Sequence, residues 1–368
     1  MKNKNTKESW EEYKKIELEK IDQILKKLGY TLEDKQPHIS GERFLSEAVT
    51  TAHGRKFILV GHNEAGEKVI IKVTNDKKGV REIEHERKCR EILKEIKFAY
   101  QIFFTPTEIL FTKKDGCTIS IQEFIEQEKS FLERGTPEQF GLALKAFKAQ
   151  ESAHATTYAH ERLVRKNFGS IDAKGYLKVF DKFKKDITSY FPENKELAEN
   201  LKKAEKILEE NKEVIEQYCG FLTHVDFVPH NIRVANGNIY LLDHSSLRFG
   251  NKYEGWARFL NFMTLYNPTL EAALIEYVKN NRTEEESLSL QLMRIYRLGE
   301  IIWYYTNTLD KTSGDLHTLN TKRIQFWTEV LEAVLENKNI SKDVVEKYKN
   351  DRNSLRSGEE KERQIGLH

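Results

Sequence analysis

The sequence predicts an α+β chain of two lobes, a small antiparallel β-rich lobe followed by a larger, mainly helical one. Three changes of texture along the 368 residues carry that expectation. From about residue 43, short β-branched runs alternate with turn formers. After about residue 127 helical periodicity takes over. Inside the helical part, residues 221–248 return to strand-like runs. The expected boundaries are 1–40 for a helical extension, 41–126 for the β-rich lobe, 127–338 for the helical lobe and 339–368 for a charged tail.

Taken in order, residues 7–28 place Trp10, Tyr13, Ile21, Ile24, Leu25 and Leu28 at mostly three- and four-residue steps, an amphipathic helix, and Gly29 ends it. "RFLSEAVTTAHG", "RKFILVGHN" and "KVIIKVTN" read as a three-stranded meander broken at Gly54 and at Asn63–Gly66. "GVREIEHERKCREILKEI" is a helix with Ile83, Cys89, Leu93 and Ile96 on or near one face. "TEILFTKKDGCTISIQEFIE" is a hairpin turning at Lys114-Asp115-Gly116. Helical periodicity then marks segments near 137–160, 174–189, 195–218, 270–280, 284–308 and 320–336. The tail from about 339 is polar and charged, and fraying is expected there.

Bulk composition narrows the function. A hydrophobic content of 39% argues against wholesale disorder, and charges that cancel to +2 give no sign of a nucleic-acid surface. Cys89, Cys117 and Cys219 have neither metal-ligand spacing nor the number for a disulfide framework, so a reducing cytoplasm is expected. The N-terminus lacks the apolar region of a secretory signal, and no run approaches the roughly 18 apolar residues of a membrane span.

The chemistry concentrates in "THVDFVPHNIRVANGNIYLLD", residues 223–243. Asp226 and Asn231 form D-x-x-x-x-N, and Asp243 ends the apolar run that follows Asn236-Gly237. In phosphoryl transfer the first aspartate orients an acceptor hydroxyl and accepts its proton, while the asparagine and second aspartate offer Mg²⁺ the hard oxygens it prefers. The bland alternative is a surface turn of Asx residues. Lys72, in "VIIKVT", sits on a strand among apolar positions, where a charge needs a partner. Glu86 is the best candidate, three residues from both Ile83 and Cys89, with Glu82 and Glu84 as weaker ones. Otherwise Lys72 snorkels from an edge strand.

"IIKV", "IEHERKCREIL", "HVDFVPHN" and "LLD", in this order over roughly residues 43–310, resemble the aminoglycoside phosphotransferase and choline kinase branch of the protein-kinase-like superfamily. The resemblance implies a two-lobed protein-kinase-like fold, with Asp226 as catalytic base and Asn231 and Asp243 as Mg²⁺ ligands. Lys72 would hold the phosphates of ATP, Glu86 would hold Lys72, and backbone groups around Glu123 and Ile125 would bond the adenine. It implies a small-molecule hydroxyl acceptor, aminoglycoside-like, choline-like or sugar-like. Three departures stand out. Val225 replaces the arginine of H-R-D, which favours a small-molecule kinase over a regulated protein kinase. Asp243-His244-Ser245 replaces D-F-G, and "SEAVTTAHGRKF" carries one glycine, Gly54, with Ser46, Thr50 and Thr51 as possible phosphate donors. Glu254 precedes a helix in "FGNKYEGWARFLNF", where a supporting role is expected. Trp303, Tyr304 and Tyr305 lie on a late helix near Glu300 and Asp310; core packing is the better reading for most of them, an amine-binding face the sharper one. Two rival classes remain at this point: a catalytically weak kinase-like binding protein, and a metallohydrolase using His224, Asp226, His230 and His244.

Overall fold

Tyr13, Ile21, Ile24 and Leu25 share one buried helix face because they recur with the helical period, and that face needs an apolar sheet to cover it. A computed structural model supplies the sheet; it describes residues 10–34, 36, 38–39, 55–95, 104–151, 162 and 165–356. Helix α1 (Trp10–Lys26) packs on six strands: β1 (Tyr30–Leu32), β2 (His38–Ile39), β3 (Phe57–Asn63), β4 (Lys68–Thr74), β5 (Glu108–Lys114) and β6 (Cys117–Glu123). Their order is β1-β3-β4-β6-β5, with β2 also on β3, and all the pairings are antiparallel. The strands were expected, except β1 and β2, which fall in what reads as a polar link. The first run of the expected meander and its Gly54 loop lie outside the described residues. Asp115 and Gly116 take positive φ, 49° and 79°, at the expected hairpin turn.

Helix α2 (Lys77–Glu95) follows β4. Among the described residues the chain divides into two compact units, one within 1–88 and 105–126 and the other within 89–104 and 127–356. The division therefore falls within α2 at Lys88, and Cys89, Ile92 and Leu93 belong to the core of the second unit.

The second unit is helical: α3 (Thr136–Glu151), α4 (Ala173–Tyr190), α5 (Lys195–Glu210), α6 (Lys212–Gln217), α7 (Glu254–Tyr266), α8 (Pro268–Asn281), α9 (Glu284–Thr306), α10 (Gly314–Leu335) and α11 (Lys342–Leu355). Thr283 and Glu286 make a reciprocal capping box at the start of α9. The charged tail does not simply fray. Ser341 caps α11 through the Val344 N–H at 3.3 Å, Val345 and Tyr348 are buried, and Tyr348 stacks on Phe326 with ring centroids 4.2 Å apart. Two buried side chains at a three-residue step suffice to seat an otherwise polar helix. Among the described residues no helix is long and apolar enough to cross a membrane.

Two strand pairs are set into this helical body. β7 (Phe221–His224) pairs with β10 (Leu247–Gly250), and β8 (Ile232–Ala235) pairs with β9 (Asn238–Leu241). Asn236 and Gly237, at φ 53° and 68°, turn the second pair as Asn-Gly two-residue loops do. Ile232, Val234, Ile239 and Leu241 alternate into the core, so Arg233, Ala235, Asn238 and Tyr240 take the other face.

Candidate active site

In the first unit, β4 alternates. Val69, Ile71 and Val73 join the apolar core, so Lys72 projects from the opposite face. On α2, Ile83, Glu86, Cys89, Arg90 and Leu93 recur at three- and four-residue steps and are all buried. Lys72 Nζ reaches both carboxylate oxygens of Glu86, at 2.6 and 2.7 Å. Glu82 and Glu84 are engaged elsewhere, by Lys56 at 3.0 Å and Lys113 at 2.8 Å. Glu123 ends β6, and its N–H donates to the Thr107 carbonyl at 3.0 Å. Ile125 lies in the extended link beyond that strand.

In the second unit, β7 delivers His224 and Asp226 into a tight loop. A 3-10 turn at Pro229–Asn231 closes the loop; Pro229 opens the turn, where its missing N–H costs nothing. Asn231 Nδ2 donates to the Asp226 carbonyl at 3.0 Å and to Asp226 Oδ2 at 2.7 Å. Three bonds staple this loop to the far end of β9. The Leu242 N–H reaches the Asn231 carbonyl at 2.9 Å, the Val225 N–H reaches the Ser246 carbonyl at 2.9 Å, and His224 Nε2 sits 2.6 Å from the Asp243 carbonyl. Asp226, Asn231 and Asp243 are thereby brought to one end of the β8–β9 pair. His224 is fully buried; burial pushes its imidazole below the usual range, so it is a neutral brace. His230 lies with its ring against Phe262, centroids 5.2 Å apart. No group of three or more His, Cys, Asp or Glu is placed to hold a metal among the described residues, so the four residues of the metallohydrolase alternative do not converge.

Asp226 has a partner that the sequence did not announce. Arg258, on α7, donates from Nε to Asp226 Oδ1 at 2.9 Å. Burial raises the Asp226 carboxyl, but Arg258, then His230 and Arg297, outweigh it and hold the group well below the ordinary carboxylate range. The only available signal was compositional: Arg258 is the single charge after Glu254 in an otherwise apolar helix, "EGWARFLNFMTLY".

Glu254, at the first turn of α7, has no exposed surface. It accepts from Arg248 on β10, from Arg297 on α9 at 3.3 Å, and from the Tyr176 hydroxyl on α4 at 2.7 Å. Burial raises this carboxyl too; Arg248 and then Arg297 overcome it, and it stays ionised. Gly250 leaves the space: a Cβ there would lie 2.5 Å from the Tyr176 hydroxyl. The network anchors β10, and through β10 the strand that ends in His224.

The donor set suits Mg²⁺. The amide nitrogen of Asn231 is spent on Asp226, so its Oδ1 remains for a cation. Asp243 takes bonds from the Ser245 N–H and hydroxyl on Oδ1 and from the Ser246 hydroxyl on Oδ2, which fix its carboxylate. One carboxylate, one carbonyl oxygen, waters and substrate phosphates are a usual Mg²⁺ complement. Arg233 follows two residues after Asn231; burial lowers its guanidinium and no neighbouring acid offsets it. The aromatic helix is packed: Trp303 donates to Asp186 at 2.7 Å and lies against Phe183, and Asp310 accepts from Tyr190. A cavity of about 470 Å³, lined by Ile171, Asp172, Glu216, Phe221 and Phe249, opens at the end of the β7–β10 pair away from Asp226 and includes none of the candidate residues.

An antiparallel β-rich unit with a strand lysine held by a helix glutamate, and a helical unit whose D-x-x-x-x-N loop is stapled to a strand-end aspartate, define the two-lobed protein-kinase-like architecture. Among the solved structures that superpose on this chain are aminoglycoside and macrolide phosphotransferases. A thermostable mutant of the aminoglycoside phosphotransferase APH(4)-Ia superposes at a TM-score of 0.53 with 14% identity, covering 85% of this chain and 97% of that one. Its ternary complex with ADP and hygromycin B gives 0.52 at 14% identity, over 86% and 98%. Macrolide 2'-phosphotransferase type I gives 0.53 at 10% identity, over 84% and 97%. No protein-family model matches the chain, and no curated protein does.

Proposed function

We propose that this protein is a small-molecule kinase that moves the γ-phosphate of ATP to an acceptor hydroxyl in the presence of Mg²⁺. The observation that carries the reading is the Asp226–Asn231–Asp243 arrangement, a carboxylate locked in orientation beside two further hard-oxygen groups. The ADP and hygromycin B of the APH(4)-Ia complex support nucleotide and hydroxylated small molecule as the two ligand classes.

Arg258 makes Asp226 a weak proton acceptor and a strong, fixed hydrogen-bond acceptor. That suits a loose phosphoryl-transfer transition state, which asks for orientation of the attacking hydroxyl more than for early proton removal. Asp226 aims the acceptor O–H, and takes the proton as the new P–O bond forms. Asn231 and Asp243 would hold Mg²⁺, which when bound neutralises charge on the phosphate oxygens. Lys72, steadied by Glu86, would pair with the ATP phosphates, and the Glu123 carbonyl with the Ile125 amide would receive the adenine.

The test is acceptor-dependent ATP consumption across a panel of aminoglycosides, macrolides, choline-like amino alcohols, sugars and nucleosides, with Asp226→Ala as control. Turnover with one acceptor class that disappears in the variant supports the reading. Wild-type turnover retained in Asp226→Ala sinks it.

A further inference from the structure

We propose that Arg233 is a ligand-binding cation, taking an anionic phosphate or carboxylate group of the molecule bound at the Asn231–Asp243 end of the β8–β9 pair. The inference rests on the phosphotransferase reading only for placing a ligand at that end.

Strand alternation forces the position. Ile232 and Val234 are buried in the core, so Arg233 must lie on the opposite face, across from Tyr240. That face is not simply open to water, because Arg233 is half-buried, and Phe104 packs against the Tyr240 ring with centroids 5.5 Å apart. The guanidinium has one bond, from Nη1 to the Ile232 carbonyl at 3.1 Å, and among the described residues no carboxylate partner.

Other arginines of this unit hold acids. Arg248 and Arg297 share Glu254, Arg258 holds Asp226, Arg282 holds Glu151 and Arg294 holds Glu271. Each of these cations lost water on folding and gained an acid. Arg233 lost water and gained a single neutral acceptor, which leaves its charge uncompensated. A planar fork of donors in that state matches a phosphate or carboxylate supplied by a ligand. The site is also in reach: two extended residues span roughly 7 Å, so Arg233 stands one register step from Asn231 and from the Leu242 N–H that bonds it. The anion comes from the nucleotide's phosphates or from an acidic group on the acceptor, and the two sources separate experimentally.

Full-length wild type, Arg233→Met and Arg233→Lys are titrated calorimetrically, with Mg²⁺, against AMP-PNP, ADP, adenosine and inorganic tripolyphosphate, and against inorganic phosphate at saturating AMP-PNP. Melting temperatures confirm that each variant is folded, and Arg233→Gln replaces Arg233→Met should the latter fail to fold. If the anion is the nucleotide's, Arg233→Met loses roughly 10- to 100-fold in affinity for AMP-PNP, ADP and tripolyphosphate and nothing for adenosine, with partial recovery in Arg233→Lys. If it is the acceptor's, nucleotide affinities stay unchanged and phosphate binding to the AMP-PNP complex is lost. Unchanged affinity for every anion in Arg233→Met overturns the proposal, as does wild type that binds none of them. Wild type that binds tripolyphosphate but no nucleotide overturns the kinase reading instead, and Arg233 is then judged on that anion alone.

Discussion

Replacing Glu254 with glutamine keeps the side chain's shape and removes its charge. The consequence follows from what surrounds it. Arg248 has Glu254 as its carboxylate and lies over the Tyr176 ring, whereas Arg297 keeps a second acid, Glu300, at 2.6 Å. Breaking a buried ion pair from one side costs about 3–5 kcal/mol. The lower end applies here, because Arg248 is a quarter exposed and Arg297 retains a partner. About 3 kcal/mol at roughly 2–4 °C per kcal/mol lowers Tm by about 6–12 °C. The pH dependence has a definite sign. The folded carboxyl lies below its unfolded value of about 4.3, so its stabilising contribution is complete above that value and fades as pH falls through the folded pKa. Thermal melts of wild type and Glu254→Gln from pH 3 to 8 should therefore show a full gap at pH 7 that narrows below about pH 4.3, where wild type protonates the same residue. A gap under about 1 kcal/mol at pH 7, or one that widens in acid, would refute the assignment of Glu254 as the charged anchor of β10.

Other substitutions probe the candidate residues of each unit. Glu86→Gln leaves Lys72 buried without its acid and should cost a few kcal/mol of stability with at least a tenfold loss in nucleotide affinity; the double change Lys72→Met with Glu86→Leu should recover stability but not nucleotide binding, seen by denaturation and calorimetry. Arg258→Met frees Asp226 Oδ1, and should lower kcat roughly 10- to 100-fold while nucleotide Kd changes less than about threefold; an equal fall in both would mean that Arg258 acts on the fold. Asp226→Ala should abolish transfer and keep nucleotide affinity, and a parallel loss of binding would move Asp226 out of the acceptor role.

What could be read in the sequence was whatever repeats within a few residues. Helical periodicity placed α4, α8 and α9 to within a few residues, and Asn236-Gly237 placed the β8–β9 turn, because both signals are local. β1 and β2, of three and two residues, are too short to alternate visibly and exist because β3 offers them an edge. α11 was hidden by its charge, since only Val345 and Tyr348 need burial to seat it. The same divide runs through the site. Lys72 was conspicuous because a lysine inside an apolar strand demands an acid, and the three-residue spacing of Glu86 from Ile83 and Cys89 singled it out over Glu82 and Glu84, which Lys56 and Lys113 take. Arg258 was passed over for the opposite reason. Its partner is 32 residues away, and an arginine on a helix ordinarily needs no explanation. Arg258 holds the Asp226 carboxylate from α7, outside the loop that carries the aspartate. A cation on α7 is tied to the core that Glu254 anchors rather than to a loop that can be remodelled. Asp226 is thereby oriented by a cation on the helix whose first turn Glu254 anchors.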